Sequence, residues 1–567
     1  MRDNDNKEFE ERADFIENED LINWTVQNDF FLKVHEKILQ RGAKLIVGPR
    51  GTGKTHQMKF AYHICLNNED KPLAIYTSFT KYFHLEPLLS KKSNAITIFH
   101  TWVLGKIILS CYQLINDLKI EWYKSDSILN QEILSQEKLE KFISEIEKGI
   151  YQEWHDEILN DLTLNRVINF IEWLIKKTKR KRAILLLDDA ALTLTPEYLI
   201  NFFDVFRSLK TIRIAPKASV YPGTTIYGPR FHVGHDAEKI PLWLHFIEVG
   251  HEDYSEFMAE IINKRALDIE NIDQDIIEIF KYAAFGIPRY FINLLRSYKN
   301  NPKKPFNQRF NHVINEQFQF IKLEFLSFSK KLPQYDNIIN TGWKLHEKMI
   351  EILTAENQKM IQSTENQLLF SIKKENILEQ DRMFQFLIEA GFLYEMEENK
   401  GGSNIEYRRY VPHFLFLIQK RAFSTSQGFK ASEVIRFIKR KAKKHAIRRE
   451  LSKVLDSQEI NLNLNLYPCQ KCNAERLTEQ QKFCHNCGKE LTRQSTFDEC
   501  MEITIDKLPL TKFQKDTIDK ETDLHKLKDF LVIQSPATEL RKAKGIGEKK
   551  ADKIYKIAID RIEEFLS

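Results

Sequence analysis

The stretch GPRGTGKT, Gly48 to Thr55, limits what this chain can fold into more than any other. It fits the pattern G-x-x-x-x-G-K-[ST] and follows AKLIV, a short apolar run that reads as a buried strand. A helix beginning near Gly53 would leave Gly48, Pro49, Arg50, Gly51, Thr52 and Gly53 as a loop whose backbone N–H groups close around phosphate. Lys54 then reaches the β- and γ-phosphates of a nucleoside triphosphate, and the Thr55 hydroxyl is a ligand for Mg²⁺. ATP and Mg²⁺ are the expected cofactors.

A phosphate loop needs an acid to hold its metal, and AILLLDDAA (183 to 191) offers two. Asp188 is expected to hold Mg²⁺ and Asp189 to orient or deprotonate the attacking water, at the end of a strand lying beside the first. The plainer reading is that two aspartates simply end a strand. Further apolar runs, PLAIYTSF (72 to 79), TIRIAPKASVY (211 to 221) and KIPLWLHF (239 to 246), read as strands alternating with helices. That alternation predicts an α/β fold with a parallel sheet covered on both faces.

Length then sets the organisation, because 567 residues exceed what one core supports. We read a P-loop ATPase core with a helical insert (1–250), a helical lid (251–334), a winged helix (335–427), a basic helix and linker (428–460), a zinc ribbon (461–495) and a helix–hairpin–helix unit (496–567). The winged helix rests on FLYEME, the turn NKGGSN and IEYRRYV closing a helical bundle. The N-terminus lacks the apolar core of a signal peptide, and no stretch approaches the roughly 20 apolar residues of a membrane span. A cytoplasmic protein without membrane contact is expected.

Together GPRGTGKT, ILLLDD, the strand ending in Tyr221-Pro222-Gly223-Thr224 and the later FGIPRYFINLLR resemble an AAA+ ATPase. The resemblance covers roughly residues 20 to 425 and is closest in outline to the origin-recognition/initiator-like clade. It implies a polar sensor at Tyr221 or Thr224 and a lid arginine at Arg289 that touches the γ-phosphate. It also implies an arginine lent to a neighbouring subunit, here Arg230, and hence a possible homo-oligomer. One departure matters: strongly hydrolysing members carry Glu as the second acid, and this chain has Asp189, about 1.5 Å shorter. A misplacement of about 1 Å can cost roughly a hundredfold in rate, so slow turnover is expected. The Asp-Asp pair is also similar to that of STAND-type ATP switches.

Seven cysteines are present, and four form two CxxC pairs. Cys469 and Cys472 are separated by eleven residues from Cys484 and Cys487, a spacing that suits a closed structural Zn²⁺ site. Near the end, Gly545-Ile546-Gly547 between helical stretches resembles a helix–hairpin–helix motif, with Lys544, Lys549 and Lys550 beside it. Such a turn can dock a phosphate on backbone N–H groups. A plain surface turn would show glycine too. Eight Lys or Arg fall in VIRFIKRKAKKHAIRRE (434 to 450), including Arg436, Lys439, Arg440, Lys443, Lys444, Arg448 and Arg449, and read as one amphipathic basic helix. Arg408 and Arg409 stand on the wing strand. The run KKTKRKR (176 to 182) reads as a solvated helix end.

The net charge of +5 therefore conceals clustering after residue 400. Double-stranded or branched DNA is the expected partner, in replication initiation, mobile-element maintenance or defence against foreign DNA. Two rivals stand: a STAND-type switch that senses a partner and recruits a separate effector protein, and a scaffold that binds ATP without turning it over.

Overall fold

A computed structural model describes the chain apart from residues 1–6, 11, 80–84, 86–93, 122–128, 131, 190–195, 303, 401–404, 425–429, 467, 470, 478–480, 482, 490, 492–501, 509, 534 and 567. Each expected apolar run contains a strand: β1 (Lys44–Val47), β2 (Leu73–Ser78), β3 (Ala183–Asp188), β4 (Ile214–Val220) and β5 (Glu238–Pro241). All lie parallel, in the order β2-β3-β4-β1-β5. Successive side chains on a strand point to opposite faces, so the sheet feeds two cores. Ile46, Ala74, Ile184 and Leu186 pack with the helix Lys54–Leu66 and the later helices, while Leu45, Ile75, Leu185 and Leu187 pack with the inserted helices. This is an α/β fold with a parallel sheet covered on both faces.

Two expectations need correcting here. β3 is not beside β1: β4 lies between them, pairing with both. The other concerns apolar length. Helix Ala95–Asp117, 23 residues, is long and apolar enough to cross a membrane by composition alone. Most of it is buried, with Trp102, Leu104, Ile107 and Cys111 inside the insert's core. Its hydrophobicity fills the domain interior.

Beyond the sheet the chain runs through helices His251–Lys264, Gln274–Ala283, Pro288–Asn300 and Phe306–Lys331. The segment Phe285-Gly286-Ile287 is wedged against the end of the sheet. The Trp243 indole donates to the Phe285 carbonyl (2.8 Å), and the Gly286 N–H donates to the Tyr254 hydroxyl (2.8 Å). Gly286 has φ +78°, and a Cβ there would lie 2.0 Å from the Leu244 carbonyl oxygen. No other residue fits.

A second unit follows, built on helices Asp336–Lys359 and Leu378–Glu389 and on six further strands. These are β6 (Glu365–Asn366), β7 (Phe370–Lys373), β8 (Leu393–Lys400), β9 (Glu406–Pro412), β10 (Lys441–Ala442) and β11 (Ile447–Arg449). β8 and β9 form an antiparallel hairpin within a sheet ordered β11-β7-β9-β8. Most of the NKGGSN turn, residues 401–404, lies outside the described residues. His245 stacks on Tyr394 (4.2 Å), tying this unit to the sheet domain.

The single basic helix over 434–450 is not formed. The helix Ala431–Ile438 stops where the Asn366 side chain donates to the carbonyls of Phe437 and Ile438 (both 3.0 Å). The chain then pairs as β10 with β6 and as β11 with β7. Open sheet edges supplied hydrogen bonds that outcompeted helix continuation. Nor is KKTKRKR wholly solvated: Arg180 is buried and donates to the Asn68 and Lys71 carbonyls. Residues 505–558 carry a core of their own, including Leu508, Ile518, Leu540, Ile546 and Ile554.

Gly286→Ala combines left-handed strain with a backbone clash, so it should lower stability by more than about 2 kcal/mol. Gly42→Ala (φ +81°, nothing within 4 Å of its Cβ) should cost only the strain, roughly 1 kcal/mol. Thermal melts of both variants check the difference, and equal melts would contradict it.

Candidate nucleotide-binding site

The phosphate loop joins β1 to the helix that starts at Lys54. Gly51 and Gly53 take φ +85° and +93°, and a Cβ at Gly48 would lie 2.6 Å from the Leu242 carbonyl oxygen. The loop is thereby packed against the chain just after β5. A Cβ at Gly51 would meet that of Arg289 at 2.8 Å, and the Arg289 N–H points at the Gly51 carbonyl (3.4 Å). The backbone and Cβ of Arg289 thus lie against the loop.

Lys54 is buried, its ammonium donating to the carbonyls of Gly48 (2.6 Å) and Pro49 (3.0 Å) and capped by the Tyr221 ring at 3.9 Å. Burial pulls its pKa down to about 7. The Arg50 guanidinium, 5.4 Å from the same ring, adds like charge. A buried ammonium held by carbonyls and a π-face rather than by an ion pair gains from added negative charge. Triphosphate supplies it, so the loop fits the group. Thr52 donates to the Pro49 carbonyl (3.0 Å), and Thr55 is half-buried in the first helical turn.

The acids lie across β4. Asp188 is fully buried and accepts from Tyr76 (2.9 Å), Ser219 (2.7 Å) and the Asp189 N–H (3.0 Å). Ser219, at the end of β4, also accepts from the Asp189 N–H (2.9 Å) and so carries the acid pair toward the loop. Asp189 has φ +53°, in the left-handed region. Burial, then the charges of Asp188 and Asp14, hold its carboxyl well above the usual carboxylate range. A buried and a half-buried carboxyl on adjacent residues favour a divalent cation, and Asp188, with its orientation fixed, is the residue that would hold it.

Of the two sensor candidates, Tyr221 faces Lys54. Thr224 is turned to another residue: its hydroxyl donates to Glu389 (3.0 Å). Arg230 stands on the surface, 75% exposed along its side chain and 4.0 Å from Asp204. Tyr76, Ser219 and Glu389 escape sequence reasoning. Glu389 left only the faint signal of one acid inside the apolar run MFQFLIEAGFL.

Sites expected to meet nucleic acid are scattered. Arg408 pairs with Asp381 (2.9 Å), Lys439 with Glu278 (2.7 Å), and Arg440 lies over Phe437 while donating to the Met360 carbonyl (3.1 Å). Arg409 is half-buried within β9. Lys443 is half-buried, its N–H on the Asn366 carbonyl, while Lys444 is exposed. Gly545 and Gly547 form the turn into helix Glu548–Leu566, where Lys549 and Lys550 are exposed.

The Cys469, Cys472, Cys484 and Cys487 sulfurs lie within 4.8 Å of one another, with Cys469–Cys487 and Cys472–Cys484 at 3.5 Å. A tetrahedral zinc with bonds near about 2.3 Å needs sulfurs about 3.8 Å apart. Backbone N–H groups of Cys472 and Lys471 hold the Cys469 thiol down to about 6. The cluster is compatible with zinc.

No protein-family model and no curated protein matches the chain. Among solved structures, a Walker-type ATPase of Pyrococcus abyssi is 12% identical, covering 73% of this chain and 99% of its own, at a TM-score of 0.37. The Aeropyrum pernix Orc1 protein, solved in complex with DNA, is 11% identical over 72% and 95%, at 0.28. Likeness at these scores assigns no function, which rests instead on the residues of the loop and the acid pair.

The purified chain should hold one zinc ion by elemental analysis, and Cys469→Ser with Cys484→Ser should abolish it. An unchanged metal content in that double variant would place the zinc elsewhere.

Proposed function

We propose that this chain is an ATP-binding, slowly hydrolysing ATPase of the AAA+ type whose nucleotide state governs how its C-terminal half grips double-stranded or branched DNA. The observation that carries this is the meeting of Lys54, Arg50 and Arg289 at one loop, with buried Asp188 and half-buried Asp189 beyond β4. In this reading Gly48 to Thr55 cradle the phosphates, Thr55 and Asp188 hold Mg²⁺, and Arg289 reports the γ-phosphate to the lid. Mg²⁺, when bound, supplies the charge neutralisation that phosphoryl transfer requires. Asp189 is the group that would orient water. Its carboxylate stands one methylene closer to the backbone than a glutamate's would, in keeping with slow turnover. Arg230, being free of the loop and exposed, is the candidate to reach a neighbouring subunit in a homo-oligomer.

The helices and hairpin around β6–β9 act as a winged helix, and residues 505–558 as a helix–hairpin–helix unit. The exposed cations of the strap formed by β10 and β11 (441–449), Lys441, Lys444, Arg448 and Arg449, replace Lys439 and Arg440 as the strongest candidates for phosphate contact. Lys549 and Lys550 provide a second patch. The alternative, a STAND-type switch recruiting a separate effector, is favoured by one observation: the hairpin unit is docked directly on the sensor turn.

ATPase assays with and without duplex DNA across a salt series decide between these readings. Wild type should turn over below about 10 per second, with DNA stimulation that Lys54→Ala abolishes. Reversing Lys441, Lys444, Arg448 and Arg449 to Glu should weaken DNA binding and flatten its salt dependence by up to four contacts. Equal rates with and without DNA, and unaltered binding in the reversed variant, would favour the switch.

A further inference from the structure

Helix Leu378–Glu389 ends 165 residues beyond Thr224 of the turn Tyr221–Thr224, which carries the sensor candidates, yet its last residue is the turn's principal partner. Glu389 is fully buried. One carboxylate oxygen, Oε2, accepts from the N–H groups of Gly223 (2.8 Å) and Thr224 (2.7 Å), and Oε1 accepts from the Thr224 hydroxyl (3.0 Å). The helix is seated on the turn. A Cβ at Gly223 would lie 2.8 Å from the Phe386 ring and 2.9 Å from the Phe386 backbone nitrogen, so only glycine permits the approach.

The same carboxylate belongs electrically to the phosphate loop. Burial pushes the Glu389 carboxyl up, opposed by the Arg50 charge of the loop and by the turn's donors, and the Glu389 charge in turn supports the Lys54 ammonium. A buried carboxylate is costly unless hydrogen-bonded and paired, and here the turn's three donors and the loop's two cations share that task. A triphosphate in the loop would draw on those cations and bring further negative charge toward Glu389.

We infer that Glu389 is a positioning residue that latches the hairpin unit to the sensor turn by standing in for the negative charge of the γ-phosphate, so that ATP, unlike ADP, opposes the docked arrangement. The inference rests on the nucleotide reading above and deepens it: it names the contact through which nucleotide state reaches the C-terminal half. Thr224 is withheld from nucleotide while the latch holds. Coupling of this kind is typically worth about 5- to 150-fold in affinity, and it acts reciprocally.

The test uses the full chain, calorimetric affinities for ADP and a non-hydrolysable ATP analogue, and hydrogen exchange over residues 219–226 and 378–392. In wild type the ATP analogue, but not ADP, should speed exchange in both segments. Glu389→Gln should raise the affinity ratio of ATP analogue to ADP at least about fivefold and speed the same exchange without nucleotide. A merely structural contact would alter exchange without changing that ratio. The inference alone is overturned if wild type binds both nucleotides while the ratio in Glu389→Gln stays within about twofold. It is overturned equally if neither nucleotide moves exchange in wild type, a readout that stands should Glu389→Gln not fold. A wild-type chain that binds neither nucleotide sinks the inference together with the reading beneath it.

Discussion

A buried ammonium at Lys54 is the constraint to which the rest of the molecule answers. Burial makes its charge expensive, and the two carbonyls and the aromatic face beside it do not neutralise it. Arg50 deepens the deficit. The surrounding elements are placed so that negative charge arrives from several directions: Asp188 and Asp189 from β3, and Glu389 from the hairpin unit. A loop built this way gains most from a polyanion, which is why the phosphate cradle is also the natural origin of conformational change.

That arrangement depends on glycine at close approaches rather than on flexibility. Gly48 admits the Leu242 carbonyl, Gly51 admits the lid arginine, and Gly223 admits the backbone of the distant helix. Each is a point where two parts of the chain meet with no room for a methyl group. Packed contacts of this kind have discrete arrangements rather than a continuum of intermediate ones.

Much of the front half was legible in sequence because its signals are local. GPRGTGKT, ILLLDD and the apolar runs are contiguous and have the periodicity of the elements they form. The thiolates were legible for the same reason: two CxxC pairs place sulfurs by short-range geometry. The basic segment misled. Its apolar spacing fits a helix through residue 450, but Asn366 capped it at Ile438 and the edges of β6 and β7 captured the chain beyond. Helical propensity was overridden by hydrogen bonds from elements about seventy residues upstream.

By itself, the sequence determined that a strand, a glycine loop and a helix would build a phosphate cradle, that two acids would end a buried strand, and that four cysteines could converge. Those outcomes depend on neighbours along the chain. Only the tertiary structure decided that β4 separates the acids' strand from the cradle's, that Thr224 turns to Glu389, and that the basic run becomes a strap on a sheet edge. Each of these pairs residues far apart in sequence, and pairing at such distance is settled by which buried groups find partners when the whole core closes.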